Sequence, residues 1–293
     1  TTGGCSIESC RSLKLLGVMV DDKLSFSSHV EYACKRASVA VMALSRMMSN
    51  SSAVVSSKRK LLASVAVSIL RYGAAAWSNA LKLQRNVDRL ESVHRLMCLR
   101  VASAYRTVSK DAVCVLAGMM PIALVLAEDV ECYDERGTRG ARRNARTSSM
   151  VKWQRVWDSS TKGRWTHRLI PSVSRWTCRP HGEVNFHLTQ FLSGHGCFRW
   201  YLHRFGHANS PSCPECANRA ETAEHVLFEC PRFAEQRSSM LEVCGRDTTP
   251  DNIIERMCTG VDEWNAVSTT VSTIVLHLQR KWRADQQLVE LAP

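Results

Sequence analysis

The sequence predicts a mainly α-helical protein: a short strand, then a bundle of helices, then a small metal-binding region flanked by further helices. Three observations predict it. Apolar residues recur at spacings of three and four over much of the first 135 residues, the period of a helix with one buried face. A strand-like run is confined to residues 12–20. Cysteine and histidine gather between 213 and 230 at the spacing of metal ligands.

Taken in order, Ser12 to Val20 reads as a strand that ends at Asp21-Asp22. Ser28 and Glu31 fit a capping box, in which each side chain satisfies an orphan backbone N–H, so a helix is expected from Ser28. Val30, Cys34, Ala37, Val41, Leu44 and Met48 then give it one apolar face, and Asn50 to Ser52 break it. A second helix is expected from about Ser57 to Trp77, and a third from about Leu83 to Ser103. Shorter helices follow at 109–117 and 122–135. Together these make a helical bundle. The stretch 136–150 reads as a solvated basic linker or arm, because Arg136, Arg139, Arg142, Arg143 and Arg146 sit beside Gly137 and Gly140. A helix from Ser149 to about Ser159 carries Trp153 and Trp157, spaced i, i+4, and the last helix runs from about Val267 to Gln286.

The bulk numbers bound the function. Hydrophobic residues make up 45% of 293, enough for a packed core. Lys and Arg number 39 against 27 Asp and Glu, a net charge of +12 that favours a polyanionic partner. The 13 cysteines are odd in number and scattered in apolar settings, the pattern of free thiols in a reducing, intracellular compartment. The longest uncharged apolar stretch, Ala112 to Ala127, is sixteen residues, short of the roughly 20 a membrane span needs. Gly118 and Pro121 interrupt it, so two helices are expected there and no membrane partner. With no Met at its start, the sequence reads as a fragment.

The run Cys213-Pro214-Glu215-Cys216, His225, Cys230 is C-x2-C-x8-H-x4-C. Its four soft or borderline donors match a tetrahedral zinc ion, and four protein ligands leave no open position, so the expected site is structural. His203 and His207, spaced i, i+4, are alternative ligands. Other patterns point away from chemistry. Asp21-Asp22 resembles a polymerase aspartate pair, but two-metal phosphoryl transfer needs carboxylates from separated strands, and only twenty residues precede it. His195 and Cys197 are close in sequence, which is not the geometry a nucleophile pair requires. No phosphate-binding glycine loop and no G-x-S-x-G are present.

Two stretches suit nucleic acid: the basic run with Arg139, Arg142, Arg143 and Arg146, and Arg199-Trp200-Tyr201-Leu202-His203-Arg204-Phe205. Their cations, Arg199 and Arg204 among them, neutralise phosphates, and aromatic rings stack on unpaired bases. Trp77, Trp153 and Trp157 are expected in the core instead.

At this point the residues resemble a known family. Leu13 to Asp22, with Leu24, Phe26 and His29, is similar to the segment after the catalytic palm in non-LTR (LINE-type) retrotransposon reverse transcriptases. So are Leu70 to Trp77, Ala104 to Ser109 and Ala117 to Ile122. Gly163-Arg164-Trp165-Thr166, Leu192 to Gly196, the cysteine/histidine cluster and Glu229 to Phe233 look like the C-terminal region of the site-specific clade with a CCHC zinc knuckle.

The resemblance implies a C-terminal polyprotein fragment: residues 1–25 the end of the palm, 26–135 a thumb-like helical domain, 136–150 the linker, 151–240 the Trp/His-rich region with the knuckle, and 241–293 closing helices. It implies RNA and DNA partners, as template–primer and target DNA, a structural zinc and a nuclear location. The family's polymerase aspartates have no counterpart here, so the expectation is a nucleic-acid-binding part and not a complete RNA-directed DNA polymerase. The alternatives are an active enzyme whose palm lies elsewhere in the full-length protein, and a host scaffold for protein interactions.

Overall fold

A computed structural model describes residues 10–46, 55–216 and 218–290. Met48 and the break at Asn50–Ser52 lie outside them. The protein is mainly α-helical, as expected, with a single two-stranded sheet among the described residues.

The expected strand is a hairpin. β1 (Ser12–Leu15) pairs antiparallel with β2 (Val18–Asp21), Leu15 opposite Val18. The two-residue turn Leu16-Gly17 has positive φ at both positions, 45° and 87°. This is the backbone that matches the right-handed twist of paired strands, and Gly17 supplies half of it without strain. Beyond β2 the Asp21 carboxylate accepts from the backbone N–H groups of Lys23 (3.2 Å) and Ser25 (2.9 Å). Burial pulls the Asp21 pKa upward, but these hydrogen bonds outweigh it and leave the pKa lowered. Asp21 is therefore a turn-forming residue.

That turn changes the helix start. α1 (Ser27–Ser45) begins one residue before the expected cap, after Phe26 in the left-handed region, and no side chain caps it. Ser28 falls inside the first turn, its hydroxyl buried without a partner. The expected face survives: Val30, Cys34, Ala37 and Val41 are buried.

α2 (Ser56–Arg71) is shorter than the single helix expected to Trp77. Gly73, at φ 65°, stops it, and α3 (Ala74–Trp77) restarts at a new angle. A 3-10 turn at Ser78–Lys82 leads to α4 (Gln84–Val101). The sixteen-residue apolar stretch divides as expected into α5 (Lys110–Ala117), capped by the Ser109 hydroxyl and closed by Gly118 at φ 60°, and α6 (Ile122–Asp134). No single helix among the described residues is long and apolar enough to cross a membrane.

α7 (Ala141–Ser159) starts eight residues before the expected Ser149, so Arg142, Arg143 and Arg146 are helical. The reason is one buried face, small at its start: Ala141, Ala145, Ser149, Trp153 and Trp157 recur every fourth position and are all buried. Short helices follow: α8 (Arg164–Leu169), α9 (Val173–Thr177), α10 (Phe186–Ser193) and α11 (Arg199–Arg204). After the cysteine/histidine segment come α12 (Ala234–Cys244), α13 (Ile253–Met257) and α14 (Val261–Glu290), the last longer at both ends than expected.

The chain forms two compact units, each discontinuous in sequence: Thr1–Met47, Leu61–Met97 and Met120–Val151 in the first, and Met48–Lys60, Cys98–Met119 and Lys152–Pro293 in the second. In the first, Trp77 is fully buried, donates its indole N–H to the Tyr72 carbonyl (2.8 Å), and lies 5.3 Å from the His29 ring. His29 accepts from the Met19 N–H (3.2 Å), and burial lowers its pKa, so it is a packed neutral histidine. In the second, Trp157 donates to the Ile170 carbonyl and Trp165 to the Phe191 carbonyl, at 2.8 and 2.7 Å. α14 packs on α10, α12 and α13 and forms the spine of this unit. Trp77, Trp153 and Trp157 are all core residues, as expected.

Candidate metal centre

The second unit holds the cysteine/histidine cluster. Pro211 to Glu221 folds back on itself: Glu221 N–H donates to the Pro211 carbonyl (2.9 Å), and Ser212 pairs with Ala220. Inside this loop Cys213 N–H donates to the Arg219 carbonyl and Arg219 N–H to the Cys216 carbonyl, both at 2.8 Å. The two thiols of C-x2-C are thus carried on a tight, hydrogen-bonded turn.

The other two ligands come from an unusual helical turn. Residues His225–Glu229 are π-helical, and Cys230 N–H donates to the His225 carbonyl (2.8 Å), a bond from i to i+5. In an α-helix a residue five places on stands about 140° round the axis, facing away. The looser π winding brings Cys230 back toward the His225 side, and such turns occur often at functional sites. The His-x4-Cys spacing therefore works only through this local departure from the α-helix.

The result is a four-donor cluster. Ligand atoms of Cys213, Cys216, His225 and Cys230 all lie within 4.8 Å of one another. The Cys213 and Cys230 sulfurs are 3.8 Å apart. Two thiolates at about 2.3 Å on one tetrahedral ion stand about 3.8 Å apart, so this separation suits a shared ion. Burial pushes the Cys230 thiol up to about 11 and, with the neighbouring Cys213 thiol, raises that of Cys216. A cation is what would convert such thiols to thiolates.

His225 supplies the observation that points to an ion most directly. Its Nδ1 lies 3.3 Å from Glu229 Oε2, while its Nε2 is buried with no partner. A carboxylate on one ring nitrogen fixes the tautomer and turns the lone pair of the other toward a metal. Arg219 Nη1, 3.1 Å from the same Glu229 oxygen, holds that carboxylate in place. These residues fit a metal ion, and the four protein donors fill a tetrahedron. The sequence reading missed Glu229, although its i, i+4 relation to His225 was a visible signal. Replacing Glu229 by Ala is expected to weaken metal binding about 10–100-fold, with Glu229→Gln in between. Competition with a chromophoric chelator measures this, and an unchanged affinity in E229A would remove Glu229 from the site.

The alternative ligands are elsewhere. His203 and His207 are exposed, and His203 Nδ1 is bonded to the Ala208 carbonyl (2.9 Å). His195 is bonded to the Ser193 carbonyl (2.7 Å), and burial pushes the Cys197 thiol up to about 11, the state of a packed thiol and not of a nucleophile.

A buried ion pair joins the centre to α11. Arg232 Nη2 lies 2.7 Å from Glu221 Oε2, and their side chains are 11% and 2% exposed. The other Glu221 oxygen accepts from Arg199 N–H (3.2 Å), and the Glu221 carbonyl accepts from Trp200 N–H (3.2 Å). The first turn of α11 is thereby bonded to the loop that carries Cys213 and Cys216. Glu221 and Arg232 are eleven positions apart, and no sequence signal marks them as partners.

The arginines singled out in the sequence are distributed over both units. Arg139, Arg142 and Arg143 are exposed in the first, Arg142 and Arg143 in the opening turn of α7. Arg146 pairs with the buried Glu128 at 3.1 Å and so also anchors α7. In the second unit Arg204 is exposed, over the Trp200 ring at 6.0 Å, and Arg199 is half-buried.

No family model and no solved structure matches the chain. It is 29% identical over 260 residues to a retrovirus-related Pol polyprotein from type-1 retrotransposable element R1 4 of Nasonia vitripennis, over 82% of this chain and 65% of that protein. It is 26% identical over 260 residues to a putative 115 kDa protein in type-1 retrotransposable element R1DM of Drosophila melanogaster, over 80% of this chain and 25% of that one. It is 28% identical over 262 residues to an R1 Pol polyprotein of Bradysia coprophila, over 83% of this chain and 26% of that one. The chain thus spans less than two thirds of the first relative and about a quarter of the other two. These matches cover about four-fifths of its length, and the chain is a homologue of the Pol polyproteins of R1 non-LTR retrotransposable elements.

Proposed function

We propose that this chain is a nucleic-acid-binding part of an R1-type reverse transcriptase. It holds template–primer and target DNA in the nucleus and is shaped in its second unit by one structural zinc ion. The relatives are Pol polyproteins, which supports a reverse-transcriptase-associated role. The observation that carries the reading is the cationic surface of a +12 chain where helix termini reinforce it. The first turn of α7 has no acidic residue and displays Arg142 and Arg143. The positive end of the helix dipole beside two exposed guanidinium groups attracts anions; Glu128, Asp129 and Glu135 border the same cleft, and a phosphate backbone would add to them. Zinc suits the donor set because three thiolates and one imidazole, all from protein, match a closed tetrahedral structural site.

The test is a filter-binding titration of the full chain against RNA, duplex DNA and a template–primer hybrid across salt concentrations. Binding is expected to weaken steeply with salt. The R142A/R143A variant, which leaves the Arg146–Glu128 pair intact, should flatten the log–log slope by about 2 on duplex DNA. A slope that does not change removes α7 from the interface, and no binding to any of the three removes the reading.

A further inference from the structure

We infer that the exposed rings on and beside α11, Trp200 and Phe205, form a stacking platform for unpaired nucleotides, so that the second unit grips single-stranded nucleic acid beside the metal centre. This rests on the nucleic-acid reading above and deepens it. Large aromatic side chains are ordinarily buried, and an exposed cluster of them marks a binding surface. On and beside this one helix Trp200 is 42% and Phe205 45% exposed.

The Phe205 ring and the backbone that carries Trp200 are held in place. Phe205 lies 4.8 Å from the Tyr201 ring, Tyr201 lies 4.8 Å from the His195 ring, and the Tyr201 hydroxyl is 2.6 Å from the Thr107 hydroxyl. At the other end, the Arg199 and Trp200 amides are bonded to Glu221. A platform fixed in advance loses little conformational freedom on binding.

Charge identifies the occupant. Residues 199–207 contain Arg199, Arg204, His203 and His207 and no acid. An apolar surface with a cation over its tryptophan and none of the opposite sign suits a partner that is flat-ringed and anionic together, which describes an unstacked nucleotide. A second, independent feature agrees. Beside α11 lies a cavity of about 430 Å³ whose lining includes the cations Arg199, Arg232 and Lys281 with Trp282, against the carboxylates of Glu221 and Asp285. The Nε of Arg199, the Nε and Nη1 of Arg232 and the Nε1 of Trp282 are buried donors with no acceptor. The neighbourhood of the helix therefore offers exposed rings and, in the cavity beside it, buried donors without acceptors. A base paired within a duplex hides its faces in the stack, so only an unpaired strand can use the rings.

Fluorescence anisotropy of the zinc-loaded full chain separates the cases, using a ten-nucleotide oligo-U, the same length of oligo-dT, and a DNA duplex. The W200A/F205A variant is expected to lose about tenfold or more on both single strands and to bind the duplex within about twofold of the wild type. W200F, which keeps a ring, should stay close to the wild type on all three. Because both side chains are surface-exposed, the variants should keep one zinc per chain and the wild-type melting temperature. Equal losses on single strand and duplex, or no loss on either, overturn the platform while leaving nucleic-acid binding in place. A wild-type chain that binds none of the three probes overturns both.

Discussion

Replacing Cys213 and Cys216 together by Ser is expected to abolish metal binding and to unfold the loop and π turn that now surround the site. The zinc-loaded wild type should carry one ion per chain by elemental analysis and the variant none. The effect is large because the shared ion would join the loop to the π turn at four points. Besides a few backbone bonds, the loop is held by the Glu221–Arg232 and Arg219–Glu229 pairs, and neither of these joins Cys213 or Cys216 to the π turn. Structural zinc in small motifs contributes an apparent ~10–16 kcal/mol at neutral pH, more than the net stability of most domains. Chelation of the wild type should reproduce the substitution and be reversed by added zinc. Affinity should also fall as pH falls, because each thiol, and the imidazole once protonated, must give up a proton to bind. The raised thiol of Cys230 makes that competition stronger than for a free cysteine. A doubly substituted chain that retains one zinc, or a wild type that never takes one up, would dissolve the centre.

The four-donor cluster was legible because C-x2-C followed by His-x4-Cys is specific, and the reason for its specificity is physical: four soft or borderline donors within eighteen residues have few other uses. The device that assembles them was not legible. Nothing in Val226-Leu227-Phe228 announces a π turn, and an α-helical reading would have set Cys230 facing away from His225. The helical bundle shows the same division. α1, α5 and α6 follow from apolar periodicity and from Gly118 and Pro121. α7 was under-read because its buried residues near the start, Ala141, Ala145 and Ser149, are small and stand among arginines, so charge masked the period. The single strand became a hairpin because its turn uses Leu16 with Gly17, a pair weaker as a signal than Asn-Gly. Trp200 belongs to the basic stretch in the sequence, but the bond that ties its backbone to Glu221 joins residues far apart in sequence and carries no local signal.

Neutralising Glu221 as Gln is expected to cost about 3–5 kcal/mol locally, since it leaves the Arg232 guanidinium buried without its carboxylate. The pair belongs to the buried class: at 2% and 11% exposure neither side chain can turn to water for compensation. Arg232 depends on Glu221 heavily, because its Nε and Nη1 already lack hydrogen-bond acceptors. The substitution keeps the volume and one acceptor for the Arg199 amide, so the loss isolates the charge. Hydrogen exchange at the Arg199 and Trp200 amides, both donors to Glu221, reads it directly: exchange should accelerate more than about a hundredfold. E221Q/R232M, which removes both charges, should recover most of the protection, since a buried pair replaced by apolar groups of similar volume is often neutral. The zinc content of E221Q should stay at one per chain, because Glu221 touches no ligand atom. Acceleration below about tenfold, or a double variant no better than E221Q, would mean that the carboxylate holds α11 only through its backbone carbonyl. The coupling between metal centre and platform would then run through the loop's fold alone.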